Sequence, residues 1–200
     1  FIHGVMNTDN VAVCGETLDY GPCAFMDRFA VHTVFSSIDA NGRYAYGRQP
    51  QIMHWNMARF AEALLPSIHA VEPADVDRAK AMVDEVSERF RVVWFDRMRA
   101  KLGLVLADDD DVRLIDALFG ELEQHAVDFT SFFRALAQLL RGDGAMMLAL
   151  LPDAEAMAPW IADWWAQLER EAIAPLERAD AMDAVNPLYI PRNHRVEAAL

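Results

Sequence analysis

The chain has 200 residues and a mass of 22.5 kDa, long enough to bury about 70% of the surface an unfolded chain exposes, and its 54% hydrophobic to 24% charged balance excludes a disordered segment. Acidic residues outnumber basic ones 31 to 18, and the resulting net charge of −13 repels phosphate backbones, so no nucleic-acid partner is expected. The longest apolar runs, such as Ala145 to Leu151, fall well short of the roughly 18 residues that a membrane-spanning helix needs, so no membrane partner is expected either.

Residues 1–50 hold five of the nine glycines and show few regular periods. Val11 to Cys14 and Thr17 to Leu18 are short β-favouring runs about Gly15-Glu16, which predicts a hairpin there and loop elsewhere. The composition shifts near Pro50. From Gln51 to Leu65 an apolar-rich run stopped by Pro66 predicts a buried helix. Pro73 opens the next helix, in which Val76, Ala79, Val83, Val86, Phe90, Trp94 and Met98 form one apolar stripe that Gly103 ends. Asp108 to Asp111 lead a further helix to about Glu123, where the acids suit the positive end of the helix dipole and read as a solvated start. Helices over Phe129 to Leu140 and Ala154 to Glu177 complete the pattern. The expected fold class is mostly α with a small β-hairpin near the N-terminus. The expected organisation is 1–50 as the loop-rich, site-bearing part and 51–200 as the helical body.

Cys14 and Cys23 are the only cysteines, with no CxxC pair, which suits a reducing, bacterial-type cytoplasm better than secretion. The chain opens with Phe1 inside a polar loop and reads as a fragment whose beginning is missing.

The chemistry-bearing residues sit at the start. A hairpin over Val11 to Leu18 would return Asp19 beside Asn10, joining an amide carbonyl and a carboxylate, hard oxygen ligands suited to Mg²⁺ or Mn²⁺ whose other positions take water and phosphate. Asp9 precedes Asn10, and neighbours in an extended segment point to opposite sides, which leaves Asp9 to face a substrate hydroxyl. Protein kinases use the same parts: a catalytic-loop Asp as base, an Asn on one metal, and the Asp of Asp-Phe-Gly on the metal ions. Asp19-Tyr20-Gly21 stands where Asp-Phe-Gly would, and His3 stands upstream as in a His-Arg-Asp loop. The kinase spacing between base and Asn is absent, however, because Asp9 and Asn10 are adjacent.

Five segments resemble the selenoprotein O family of kinase-like protein adenylyltransferases: HGVMNTDN at His3 to Asn10, LDYGP at Leu18 to Pro22, GRYAYGRQP at Gly42 to Pro50, EQHAVDFTSFFRAL at Glu123 to Leu136, and NPLYIPRNHRVEAAL at Asn186 to Leu200. The resemblance implies the helical C-terminal lobe of a kinase-like fold, with 1–50 holding a catalytic loop, a metal-binding hairpin and an activation-segment-like loop. It further implies Asp9 as catalytic base, Asn10 and Asp19 as ligands of Mg²⁺ or Mn²⁺, and ATP bound so that AMP passes to Ser, Thr or Tyr hydroxyls of protein substrates. The family's N-terminal lobe and C-terminal tail would lie outside these 200 residues, so the chain alone is expected to be inactive and to hold no nucleotide contact beyond metal-bridged phosphates. Phe35 stands where some members carry an activation-segment cysteine. An ATP-dependent protein phosphotransferase and a non-catalytic helical interaction module are the competing readings.

Other features read as structural. The Asp108–Asp111 run lacks the glycine and final glutamate of an EF-hand loop, and no HExxH spacing supports zinc. Trp160, Trp164 and Trp165 suit core packing. His3 reads as a histidine bonded to a loop carbonyl, and Arg192, Asn193 and His194 as residues tying down a loop.

Overall fold

The computed structural model describes residues 1–16, 19, 21–68, 71–151, 153 and 155–199. Among the described residues the chain is mostly helical with one small antiparallel sheet near the N-terminus, and it divides into two compact units, 1–24 with 31–93 and 25–30 with 94–200. No helix among the described residues is long and apolar enough to cross a membrane.

In the first unit, strand β1 (Ile2–His3) pairs with β2 (Cys23–Ala24), with Ile2 opposite Ala24 and His3 opposite Cys23. The predicted hairpin is therefore displaced. Residues 11–14 form no strand; Ala12 to Gly15 make a turn, closed by the Gly15 N–H on the Ala12 carbonyl at 3.0 Å. Thr17 and Leu18 lie outside the described residues. The pairing instead joins segments twenty residues apart, which no local alternation announces. A 3₁₀ turn (Tyr46–Arg48) leads into α1 (Gln49–Leu64), with Pro50 in its first turn. Of the residues of α1 only Asn56 is buried, so the expected buried helix is a half-exposed one. Its Met57, Phe60 and Leu64 line an apolar groove of about 510 Å³ opposite Ala79, Met82 and Val86 of α2 (Pro73–Leu102).

Helix α2 matches its predicted limits. Its C-terminus shows why glycine stops it: Gly103 has φ +75°, its N–H meets the Ala100 carbonyl at 3.2 Å, and the Leu104 N–H meets the Arg99 carbonyl at 2.9 Å, a Schellman closure. A Cβ at Gly103 would lie 2.8 Å from Met182 Sδ and 2.9 Å from Arg178 Cγ.

The second unit contains the end of α2 and helices α3 (Asp109–Gln124), α4 (Phe129–Leu140), α5 (Ala145–Leu150), α6 (Ala158–Glu169), α7 (Pro175–Val185) and α8 (Asn193–Ala199). Its core is the fully buried set Leu102, Ile115, Leu118, Phe132, Leu136 and Trp164 with their neighbours. Trp160 and Trp164 pack inside, as their spacing predicts, and each indole N–H is satisfied, on the Leu114 and Leu102 carbonyls at 2.9 Å. The start of α3 is not solvated throughout. Asp108 caps the helix, but Asp111 is fully buried, accepting from Arg99 Nε at 2.7 Å and from Gln167 Nε2 at 3.1 Å.

The single helix expected over 154–177 is two helices. Pro175 lacks the N–H that a continuing helix would need and instead begins α7, after Ala174 in extended geometry. Glu171, in the break, is buried: it accepts the Val105 and Leu106 N–H groups at 2.8 and 2.6 Å and pairs with Arg178 at 2.6 Å. Arg178 also donates to the Gly103 and Leu168 carbonyls. The break thus fastens the α2–α3 connection to the helix that follows.

Candidate functional site

The β1–β2 pair closes a loop over residues 4–22, and every candidate site residue lies in it. Beyond the sheet the Gly4 N–H donates to the Pro22 carbonyl at 2.5 Å, continuing the register. Only glycine fits this crossing, because a Cβ would fall 2.8 Å from the Pro22 oxygen and 2.7 Å from Phe35 Cδ1.

Two candidate ligands are tied to backbone that adjoins the crossing. Asn10 Nδ2 donates to the Val5 carbonyl, next to Gly4, at 3.0 Å. The Gly21 N–H, next to Pro22, donates to Asp19 Oδ1 at 2.7 Å. The amide hydrogen bond directs Asn10 Oδ1 away from Val5. Both residues are exposed, and between them they offer a neutral and an anionic oxygen. Among the described residues no group of three or more His, Cys, Asp or Glu side chains converges into a larger cluster.

Asp9 and Asn10 lie in a 3₁₀ turn (Thr8–Asn10), not in the extended segment expected for them. Successive residues of a 3₁₀ helix are about 120° apart, so the two side chains still diverge. Asp9 is exposed and acidic beside an amide already fixed on Val5.

The turn is held from outside the loop by Asn56, which no motif singled out, and by Tyr44, which lies in the Gly42 to Pro50 segment but had no role assigned. Asn56, the buried residue of α1, donates to the Met6 carbonyl at 3.1 Å. The Tyr44 hydroxyl donates to Asn7 Oδ1. A polar Asn inside the apolar run Ile52 to Leu65 is the one sequence signal that could have drawn attention to Asn56. His3 proves structural: its Nδ1 accepts the Val5 N–H at 3.1 Å, where a bond to a carbonyl was expected. Burial pushes the Cys23 thiol above its ordinary range.

In the second unit Arg192 acquires a definite role. It donates to Asp27 at 2.6 Å, to both carboxylate oxygens of Asp128, and to Ser131 Oγ at 3.3 Å. Asp128 is also the N-cap of α4, accepting the Ser131 N–H at 2.9 Å. The Phe129 N–H meets the Asp27 carbonyl at 2.7 Å, and the Phe29 N–H meets the Val127 carbonyl at 2.9 Å. Arg192 therefore locks segment 25–30 to the start of α4, while Asn193 donates to the Phe25 carbonyl at 3.4 Å.

Comparison with known proteins supplies the family. The sequence model of the family described as "Protein adenylyltransferase SelO" matches residues 1–200. Relatives include three proteins named "Protein nucleotidyltransferase YdiU": one from Sphingopyxis alaskensis at 75% identity over 200 residues, one from Chromobacterium violaceum at 50% over 201, and one from Rhizobium leguminosarum bv. trifolii at 49% over 203. Each alignment takes in 100% of this chain but only 41%, 42% and 40% of the respective relative, so the chain spans about two fifths of their length. The match over all 200 residues shows that the chain belongs to the SelO family.

Proposed function

We propose that the protein containing this chain transfers AMP from ATP to Ser, Thr or Tyr hydroxyls of other proteins, with Asp9 as the base and Asn10 and Asp19 holding Mg²⁺ or Mn²⁺. One observation carries the reading: in a chain that matches the family throughout, the Asp9–Asn10 turn and Asp19 are both tied to the single Gly4–Pro22 crossing. The cation, when bound, neutralises charge on the phosphates and on the departing group. Asp9 takes the proton of the substrate hydroxyl as its oxygen bonds to the α-phosphorus; the bond from that phosphorus to the bridging oxygen breaks, and pyrophosphate leaves. Asn56 and Tyr44 keep the turn in place, which matters because positioning supplies most of the catalysis in such transfers.

The test is incubation of the full-length protein with candidate protein substrates and ATP labelled on either the α- or the γ-phosphate. Adenylylation retains the α-label alone. Retention of the γ-label would replace this reading with a phosphotransferase, and retention of neither with a non-catalytic helical module.

A further inference from the structure

In the first unit, the Arg43 guanidinium lies 4.8 Å from the centroid of the Trp55 ring and 5.8 Å from that of Tyr44. Arg59 lies over the same indole at 5.4 Å. The two cations differ in what balances them. Arg59 pairs with Glu62 at 2.5 Å, whereas among the described residues no carboxylate forms an ion pair with Arg43. What sets Arg43 apart is its seat on an indole: it is exposed and stacked, in a chain of net charge −13.

The loop carrying Arg43 is fixed. Both oxygens of Asp39 are occupied by backbone, accepting the Arg43 and Tyr44 N–H groups at 2.7 and 2.8 Å. Arg48 donates to the Asn41 and Gly42 carbonyls at 3.0 and 3.2 Å. An arginine stacked on an aromatic ring, on a loop with no slack, keeps its N–H edge oriented toward solvent, where it matches a planar carboxylate in two parallel hydrogen bonds. Its neighbour Tyr44 is the residue that bonds Asn7, two positions before Asp9. The unpaired cation thus adjoins a support of the proposed base.

We propose that Arg43, held on Trp55, is a docking point for an acidic side chain flanking the hydroxyl of the protein substrate. The word substrate rests on the adenylyltransferase reading; the docking chemistry does not. An acidic segment would otherwise be repelled by this chain, so a preorganised cation next to Tyr44 would favour substrates with a carboxylate at a set distance from the modified residue.

The test uses the full-length protein and two fluorescent peptides, one with a serine flanked by glutamates and one with those glutamates replaced by glutamine. Anisotropy should show tighter binding of the glutamate peptide by about tenfold, and Arg43→Gln should abolish the preference without changing affinity for the glutamine peptide. Arg43→Lys should keep part of the preference, and Trp55→Leu should reduce it, with unchanged circular dichroism in all three variants. The KM for ATP should stay constant. Equal wild-type affinity for the two peptides, or equal weakening of both by Arg43→Gln, would overturn the proposal. A rise in the ATP KM would overturn it too, by assigning the guanidinium to a nucleotide phosphate. Because anisotropy needs no turnover, absence of α-label transfer would remove the adenylyltransferase reading and leave the docking result standing on its own.

Discussion

Asn56, buried in the middle of α1, reaches fifty residues back along the chain to donate its Nδ2–H to the Met6 carbonyl at 3.1 Å, and so fixes the backbone four residues before Asn10. Removing the donor leaves a buried carbonyl unsatisfied, which costs about 1–3 kcal/mol. Asn56→Ala should lower the urea midpoint at constant slope and speed amide exchange over residues 5–10 more than in α4. Unaltered exchange in that turn would mean that Tyr44 and the Gly4–Pro22 crossing hold it unaided.

The buried Glu171–Arg178 pair behaves differently from the exposed ion pairs of α2. Burial pushes the Glu171 carboxyl up, but hydrogen bonds from the Leu106 N–H, from Arg178 and from the Val105 N–H outweigh it and hold the carboxyl below its ordinary value. Arg178→Met strands this charge in the core and should cost about 3–5 kcal/mol in chemical denaturation. Glu171→Gln keeps an acceptor for the two backbone donors and should cost less than Glu171→Leu, which keeps none. Arg89→Ala, which breaks a pair with Glu85 on exposed helix surface, should change stability by less than about 1 kcal/mol.

Arg192 predicts a pH dependence. Burial pushes the Asp128 carboxyl up, but hydrogen bonds from Arg192 and Ser131 prevail and hold it below its ordinary value of 3.8. A carboxyl with a lower pKa in the folded than in the unfolded chain contributes stability that is complete above the unfolded value and is lost as pH falls through the folded one. Arg192→Gln should therefore raise the pH midpoint of acid unfolding and change the slope of stability with pH little above about 5. A wild-type acid limb in this variant would show that the Ser131 bonds alone depress Asp128.

The elements whose limits depend on local chemistry were the legible ones. Pro73 and Gly103 bound α2 where the sequence places them, and α4 runs over Phe129–Leu140 as expected, opened by a capping Asp128. The displaced strand pairing has a long-range cause. Ile2 and His3 find their partners at Ala24 and Cys23, not across the next turn. The break in the expected 154–177 helix has a local cause, Pro175, and a long-range one, since Glu171 meets Arg178 and two amides of the 103–106 connection. The same division runs through the site. The proposed residues Asp9, Asn10 and Asp19 are singled out by type and spacing, whereas Asn56 and Tyr44 act through partners 50 and 37 residues away, a separation that no motif encodes.

Asn10 and Asp19 should be separable by charge. Asp19→Ala removes the anionic oxygen of the proposed pair and should abolish transfer in the full-length protein while weakening Mg²⁺-dependent ATP binding. Asn10→Ala removes a neutral carbonyl oxygen and should act in the same direction but less, with partial recovery at raised Mn²⁺. Titrations of each variant with Mg²⁺ and Mn²⁺, read by calorimetry with ATP, make the comparison. Wild-type turnover in Asp19→Ala would remove Asp19 from the metal.

Asp9 should matter for the chemical step and little for binding. Its turn is anchored through Asn7, Met6 and the Asn10 amide, none of which uses the Asp9 carboxylate, so Asp9→Asn should leave the loop intact. The amide keeps the shape of the side chain but cannot accept the hydroxyl proton, and positioned general bases are worth about 10²–10⁴-fold in rate. The full-length variant should lose kcat by that order while its affinity for ATP with Mg²⁺ stays within about threefold, the signature of an interaction made only in the transition state. Matched losses of rate and ATP affinity would instead place Asp9 on the cation beside Asn10 and leave the hydroxyl without a base from this turn.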